Sequence, residues 1–281
     1  MTQQTIVSTD WLAEHLGAND IVVVDCRFDL ADTEAGRRAY ALDHIPNAQY
    51  VHLDDDLAGK MTGSNGRHPL PEIIDFNKIL RRLGVTPAKT IVAYDNSYGI
   101  FAARLWWMMR WAGLGNCAVL DGGWNKWNAE RRATTSEVAT AGISEINCVV
   151  RNGLLVNAEY VMHNLRNTSV MQLVDARSTE RFRGENETLD PVGGHIPGAL
   201  NRFYQSNIDA DGIFKSPAIL RQEFATLLGK HEPATVVHQC GSGVTACHNL
   251  LAMEIAGMRG AKLYAGSWSE WCADPRRPVE L

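Results

Sequence analysis

The stretch VVHQCGSGVTACHN, Val236 to Asn249, sets Cys240 at the end of an apolar run, follows it with two glycines among small residues, and continues into a helical pattern. A thiol that only fills space needs no such surroundings. Glycines allow a tight turn and positive φ. Successive backbone N–H groups in such a turn can converge into an anion-binding nest, and the start of the next helix adds its positive dipole end. These surroundings favour thiolate over thiol, and the thiolate is the nucleophile. Cys240 is therefore the candidate nucleophile, and Gly241, Ser242, Gly243, Val244 and Thr245 form the candidate cradle for developing charge. Two cysteine chemistries suit a strand, cysteine, nest and helix in this order. Phosphoester hydrolysis needs an arginine six positions on, but position 246 is alanine, and no arginine occurs between Cys240 and Arg259. Sulfur transfer, in which the cysteine becomes a persulfide, needs no arginine there.

The elements that must position this loop occur twice. IVVVDCR (Ile21 to Arg27) matches LVDAR (Leu173 to Arg177), HIPNA (His44 to Ala48) matches HIPGA (His195 to Ala199), and VLDGGWNKW (Val119 to Trp127) matches LYAGSWSEW (Leu263 to Trp271). The pairs are offset by 150, 151 and 144 positions, which makes the chain two copies of one domain. The boundary is expected within ERRATTSEVATAGISE, Glu130 to Glu145, giving domains 1–138 and 139–281. Each copy alternates short β-branched runs (IVVVD, TIVAYD, TVVHQC) with helical stretches such as PEIIDFNKILRRLG and SPAILRQEFATLLG. The second of these opens with the Ser216–Pro217 start signal, and both stop at glycine. Alternation of this kind predicts an α/β fold with a parallel sheet covered by helices on both faces. In copy one Asp95 stands where Cys240 stands in copy two. An exchange of cysteine for aspartate is foreign to packing, so copy two is expected to hold the chemistry and copy one to support it.

The totals narrow the setting. The chain has 281 residues, 45% hydrophobic and 21% charged, with net charge −5. That composition is ordinary for a globular protein and gives no pull toward nucleic acid or anionic membrane. No apolar run approaches the roughly 20 residues that span a bilayer. The opening MTQQTIVSTDWLAEHL lacks the basic and apolar regions of a secretory signal, so a cytoplasmic location is expected. Six cysteines without a CxxC pair are neither a disulfide framework nor a zinc site. Asp25, Arg27, Asp175 and Arg177 read as ion pairs bracing the strand ends, and His44 and His195, present in both copies, as structural. Cys247 reads as a buried helix thiol.

On these residues the chain resembles the two-domain rhodanese superfamily of sulfurtransferases over nearly its whole length. HIPGA is similar to one family signature and AKLYAGSWSEW, Ala261 to Trp271, to another; CGSGVTA resembles the active-site loop of the 3-mercaptopyruvate branch. The thiosulfate enzymes of animal type carry a basic pair where this chain has Gly241 and Ser242. The resemblance implies two tandem rhodanese-like domains and transfer of a sulfane sulfur from a small-molecule donor, 3-mercaptopyruvate, to cyanide, a small thiol or thioredoxin through a Cys240 persulfide. It implies no metal or organic cofactor. It implies that Arg181, in VDARSTERFRG, holds the donor anion, and that Ser242, His68 and Asp54 form a proton relay. Mercaptopyruvate enzymes of animal type carry a second arginine shortly after the first, whereas GENETLDPVGGH here has none, and Arg183 lies only two residues past Arg181. Thiosulfate as donor is the alternative on that ground. A non-catalytic rhodanese-like module that binds a partner or carries sulfur is the other.

Overall fold

The computed structural model describes residues 4–140, 142–165 and 167–281. Positions 1–3 of the amino-terminal stretch and position 141 of the expected boundary segment lie outside the described residues. The chain divides into two compact units, the first comprising the residues up to Gly59, Pro71–Arg151 and Ala210–Phe214, the second Lys60–Leu70, Asn152–Asp209 and Lys215–Leu281.

In the first unit the elements run β1 (Ile6–Val7), α1 (Thr9–His15), β2 (Ile21–Asp25), α2 (Ala35–Leu42), β3 (Gln49–Tyr50), α3 (Leu53–Asp56), α4 (Ile73–Arg82), β4 (Thr90–Tyr94), α5 (Ile100–Trp111), β5 (Cys117–Leu120) and α6 (Gly123–Ala129). The strands form a five-stranded sheet in the order β1-β5-β4-β2-β3, and every strand pair is parallel. β-Branched residues dominate its centre: Val23 of β2 lies beside Val92 of β4, both buried. These side chains join Leu12, Tyr94, Leu120 and Trp127 in one apolar cluster. Helix α5 is buried on every side except at Arg110, as an all-round apolar sequence requires.

The second unit repeats this plan with β6 (Leu155–Val156), α7 (Ala158–Asn164), β7 (Gln172–Asp175), α8 (Thr179–Phe182), β8 (Leu200–Asn201), α9 (Pro217–Leu228), β9 (Val236–Gln239), α10 (Thr245–Ile255), β10 (Lys262–Tyr264) and α11 (Ser267–Trp271). Its sheet order, β6-β10-β9-β7-β8, is that of the first unit strand for strand, and all pairs are again parallel. The helix signals act as read: Ser216 accepts from the Ile219 N–H at the start of α9, and Gly229 closes it at φ +57°. Leu173, Val237, Tyr264, Trp268 and Trp271 build the core.

The repeated residues brace rather than react. Arg27 grips both Asp25 oxygens and donates to the Asp43 carbonyl; Arg177 grips Asp175 and donates to the Gly194 carbonyl. Each guanidinium also lies over a tryptophan, Trp124 and Trp268 respectively. His44 bonds the Tyr40 carbonyl and stacks on Tyr40, as His195 does with Phe182. His44 also bridges to Thr135, so the segment read as a boundary closes the edge of the first unit, just as Glu280 pairs with His195 in the second.

Candidate functional site

Cys240 directly follows β9, and its side chain is buried, with 2% exposure. The loop that holds it is tied down residue by residue. The Cys240 N–H donates to Ser267 Oγ at 3.1 Å, and Ser267 Oγ donates to the Tyr264 carbonyl at 2.9 Å. Trp268 and Ser269 donate their N–H groups to the carbonyls of Cys240 and Gly241 at 3.0 and 2.9 Å. Inside the loop, the Gly243 N–H points at Cys240 Sγ, 3.2 Å away. Gly243 has φ +77°, and a Cβ there would lie 2.3 Å from the Ala265 carbonyl oxygen, so only glycine fits. Val244 leads into α10, with Thr245 its first residue. One turn on, the Cys247 thiol donates to the Gly243 carbonyl at 3.3 Å from the fully buried face of the helix.

Ser242 meets His68: its Oγ lies 2.7 Å from His68 Nδ1, and each residue is only 8% exposed. His68 reaches this position because Lys60–Leu70 belongs to the second unit, although the chain on either side belongs to the first. The Arg67 N–H anchors that segment on Ser269 Oγ at 3.1 Å. Asp54 lies in the first unit on α3, where its N–H donates to His52 Nδ1.

Two guanidinium groups lie against the loop. A Cβ at Gly241 would stand 2.9 Å from Arg67 Nη2 and 3.5 Å from both Arg181 Nη atoms. Arg181 sits on α8, which Ser178 caps. Two carboxylates from the GENETLDP segment hold the arginines. Glu187 accepts from Arg181 Nε and Nη2 at 3.0 and 2.9 Å and from Arg177 at 3.3 Å, and also receives the Leu189 and Asp190 N–H groups. Asp190 bridges the two: one oxygen pairs with Arg67, the other with Arg181 Nη2 at 3.3 Å. Burial pushes the Glu187 carboxyl up, but the Arg181 hydrogen bond and the loop N–H groups outweigh it and hold it below the usual carboxylate range. For Asp190 burial wins with help from Glu187, and its carboxyl is raised despite Arg67.

Sequence reasoning missed four of these residues, Arg67, Ser267, Glu187 and Asp190, and the first two left a signal. Arg67 belongs to a fourth repeated pair, NGRHPLP against DGIFKSP, which puts Gly66 with Gly212, Arg67 with Ile213 and His68 with Phe214 at an offset of 146. Both glycines are left-handed, at φ +86° and +77°. Ser267 stands where the first copy has Gly123, and both adopt left-handed backbone, φ +56° and +53°. A serine held in that strained conformation has its hydroxyl on the Cys240 N–H. Glu187 and Asp190 left none, since no local pattern shows which guanidinium groups they meet.

Burial pushes the thiols of Cys26, Cys117 and Cys148 up, and that of Cys272 up to about 11.

The rhodanese-like domain matches residues 8–130 and 157–274. The chain belongs to the rhodanese family, in its two-domain form. It is 41% identical over 281 residues to the probable 3-mercaptopyruvate sulfurtransferase of Pseudomonas aeruginosa, covering 99% of each chain. It is 35% identical to the putative thiosulfate sulfurtransferase SseB of Mycobacterium tuberculosis, covering 98% of this chain and 96% of that one. The solved structure of 3-mercaptopyruvate sulfurtransferase from Leishmania major superposes with a TM-score of 0.87 at 26% identity, over 99% of this chain and 77% of that one.

Proposed function

We propose that the protein is a sulfurtransferase that moves a sulfane sulfur from 3-mercaptopyruvate to a thiophilic acceptor through a persulfide on Cys240. The observation that carries this reading is a single thiol held by the Gly243 N–H in a glycine loop flanked by two guanidinium groups. Arg181 and Arg67 would take the donor carboxylate, a planar anion suited to guanidinium forks. The Cys240 thiolate attacks the donor's sulfur and an S–S bond forms. The carbon–sulfur bond breaks, its electron pair leaves on the three-carbon fragment as the pyruvate enolate, and a proton completes pyruvate. The loop N–H on Cys240 Sγ would stabilise the thiolate before attack and again when the acceptor restores it. The Ser242–His68 pair supports a role for His68 in carrying the donor's thiol proton, and Asp54 is the third relay member that the family resemblance implies. Cyanide, a small thiol or thioredoxin then attacks the outer sulfur and restores the thiolate, so no external oxidant enters the cycle.

Thiosulfate is the second reading, with sulfite as leaving group. It is favoured by the paired guanidinium groups, which also suit a sulfonate-like end, and by the similarity to a putative thiosulfate sulfurtransferase. A cytoplasmic location, where thiols stay reduced, suits six free cysteines. The test compares kcat/KM for the two donors with cyanide as acceptor and weighs the intact protein after donor alone. A Cys240 heavier by one sulfur atom and a preference for 3-mercaptopyruvate are expected. No added sulfur with either donor would sink sulfur transfer; a preference for thiosulfate would move the assignment to the second reading.

A further inference from the structure

We propose that Asp190 sets the donor preference by charge, occupying the place of a donor carboxylate between Arg67 and Arg181 and biasing the site toward monoanions over dianions. The inference rests on the sulfur-transfer reading above. Asp190 is 3% exposed, and its two oxygens engage the two guanidinium groups one each. That is how the two oxygens of a bound carboxylate would divide between them. With Glu187 beside it and 4% exposed, the two carboxylates neutralise Arg67 and Arg181 in the resting site. Arg177 is likewise matched by Asp175. The mouth of the Cys240 loop thus carries two guanidinium forks for geometry and almost no surplus positive charge.

Such a site recognises the shape of an anion without rewarding extra charge. 3-Mercaptopyruvate carries one negative charge at neutral pH and thiosulfate two. A fixed negative charge opposes the second twice as strongly, because the Coulomb energy scales with the product of charges. The first unit supplies a control within the same chain. There the residue matching Arg67 is Ile213, and the matching loop holds a carboxylate of its own, Asp95. Guanidinium groups and a balancing aspartate occur together at the thiol loop.

The test removes the charge and keeps the shape. Asp190→Asn should raise kcat/KM for 3-mercaptopyruvate about fivefold and for thiosulfate about twenty-five-fold, so that the thiosulfate to 3-mercaptopyruvate ratio rises about fivefold. Raising ionic strength should shrink both gains. Asp190→Glu should retain the native ratio. A readout without turnover is alkylation of Cys240, followed by mass spectrometry. In Asp190→Asn the rate ratio of iodoacetate, an anion, to iodoacetamide, a neutral reagent, should rise about fivefold, with the iodoacetamide rate unchanged. Asp190→Ser provides a second neutral variant if the asparagine protein does not fold. An equal loss for both donors with a falling alkylation ratio would overturn the proposal and make Asp190 a brace for the arginines. An unchanged ratio in both assays would overturn it too. A raised alkylation ratio with neither donor turned over would refute sulfur transfer and leave the charge assignment standing.

Discussion

The loop after β4 and the loop after β9 occupy the same place in the same fold and treat charge in opposite ways. After β4 the chain folds onto its own carboxylate. Asp95 Oδ1 accepts the N–H groups of Ser97 and Gly99 at 2.7 and 2.8 Å, and Oδ2 those of Phe101 and Ala102, both at 2.9 Å. After β9 the residues matching those donors are Ser242, Val244, Ala246 and Cys247, and the side chain in the middle is a thiol. The backbone scarcely differs: Tyr98 has φ +62° where Gly243 has φ +77°. Each loop is also fixed from the same side, the Trp124 N–H on the Asp95 carbonyl and the Trp268 N–H on that of Cys240. The fold therefore builds an anion cradle twice. In one copy the chain fills it with its own carboxylate; in the other a thiol stands in the middle, with the Gly243 N–H on its sulfur.

Filling the second cradle in the manner of the first is the most severe way to test this. Cys240→Asp should abolish sulfur transfer while leaving the melting temperature at or above the native value, read by activity and thermal unfolding together. A large drop in melting temperature would show that the two cradles are not equivalent. Next in size, Gly243→Ala drives a Cβ into the Ala265 carbonyl. It should lower kcat at least ~100-fold, in line with the loss of one oxyanion-type donor, whereas Tyr98→Ala in the first unit should leave turnover intact. Emptying the first cradle with Asp95→Ala leaves four N–H donors facing a void. It should cost about 3 kcal/mol in denaturant unfolding and leave the donor preference unchanged. Making the thiol loop's neighbour apolar as in the first copy, Arg67→Ile, should raise KM for 3-mercaptopyruvate about tenfold with a smaller change in kcat, the loss of one charge-assisted contact.

The smallest effect concerns the strand that delivers the thiol. His238 stands on β9 where β4 has Ala93, and it is fully buried. Burial, reinforced by Arg202, pushes its imidazole down to about 3. The unfolded chain binds a proton at His238 below about pH 6.5 and the folded chain does not until about pH 3. Stability should therefore fall with pH across that window by on the order of 1 kcal/mol per pH unit. His238→Gln should flatten this slope; an unchanged acid branch would locate it elsewhere.

The fold was legible because a duplicated chain reports on itself. Three repeated pairs show a duplicated domain, and Asp95 against Cys240 marks the candidate functional position. What stayed hidden depended on contacts between segments far apart in sequence. Arg67 looked like one more polar residue in a glycine- and proline-rich stretch, since nothing local shows that it meets Gly241 or Asp190. Glu187 and Asp190 lay in a segment read only for a missing arginine. The hydroxyl of Ser267 matters because its backbone takes a conformation that a strand-and-helix pattern does not encode.

The exchange of short segments between units has a consequence for how this protein could be made or divided. Lys60–Leu70 is built with the second unit and Ala210–Phe214 with the first, where the Phe214 N–H bonds Asp121. A ribosome finishing the first half has already released the stretch bearing Arg67 and His68 but has not yet made the sheet it belongs to. That stretch must wait for the second sheet, and the first unit must wait for residues 210–214. Cutting the gene between the copies would yield two fragments, each lacking a piece of itself and carrying a piece of the other. Such fragments should regain activity only when produced together.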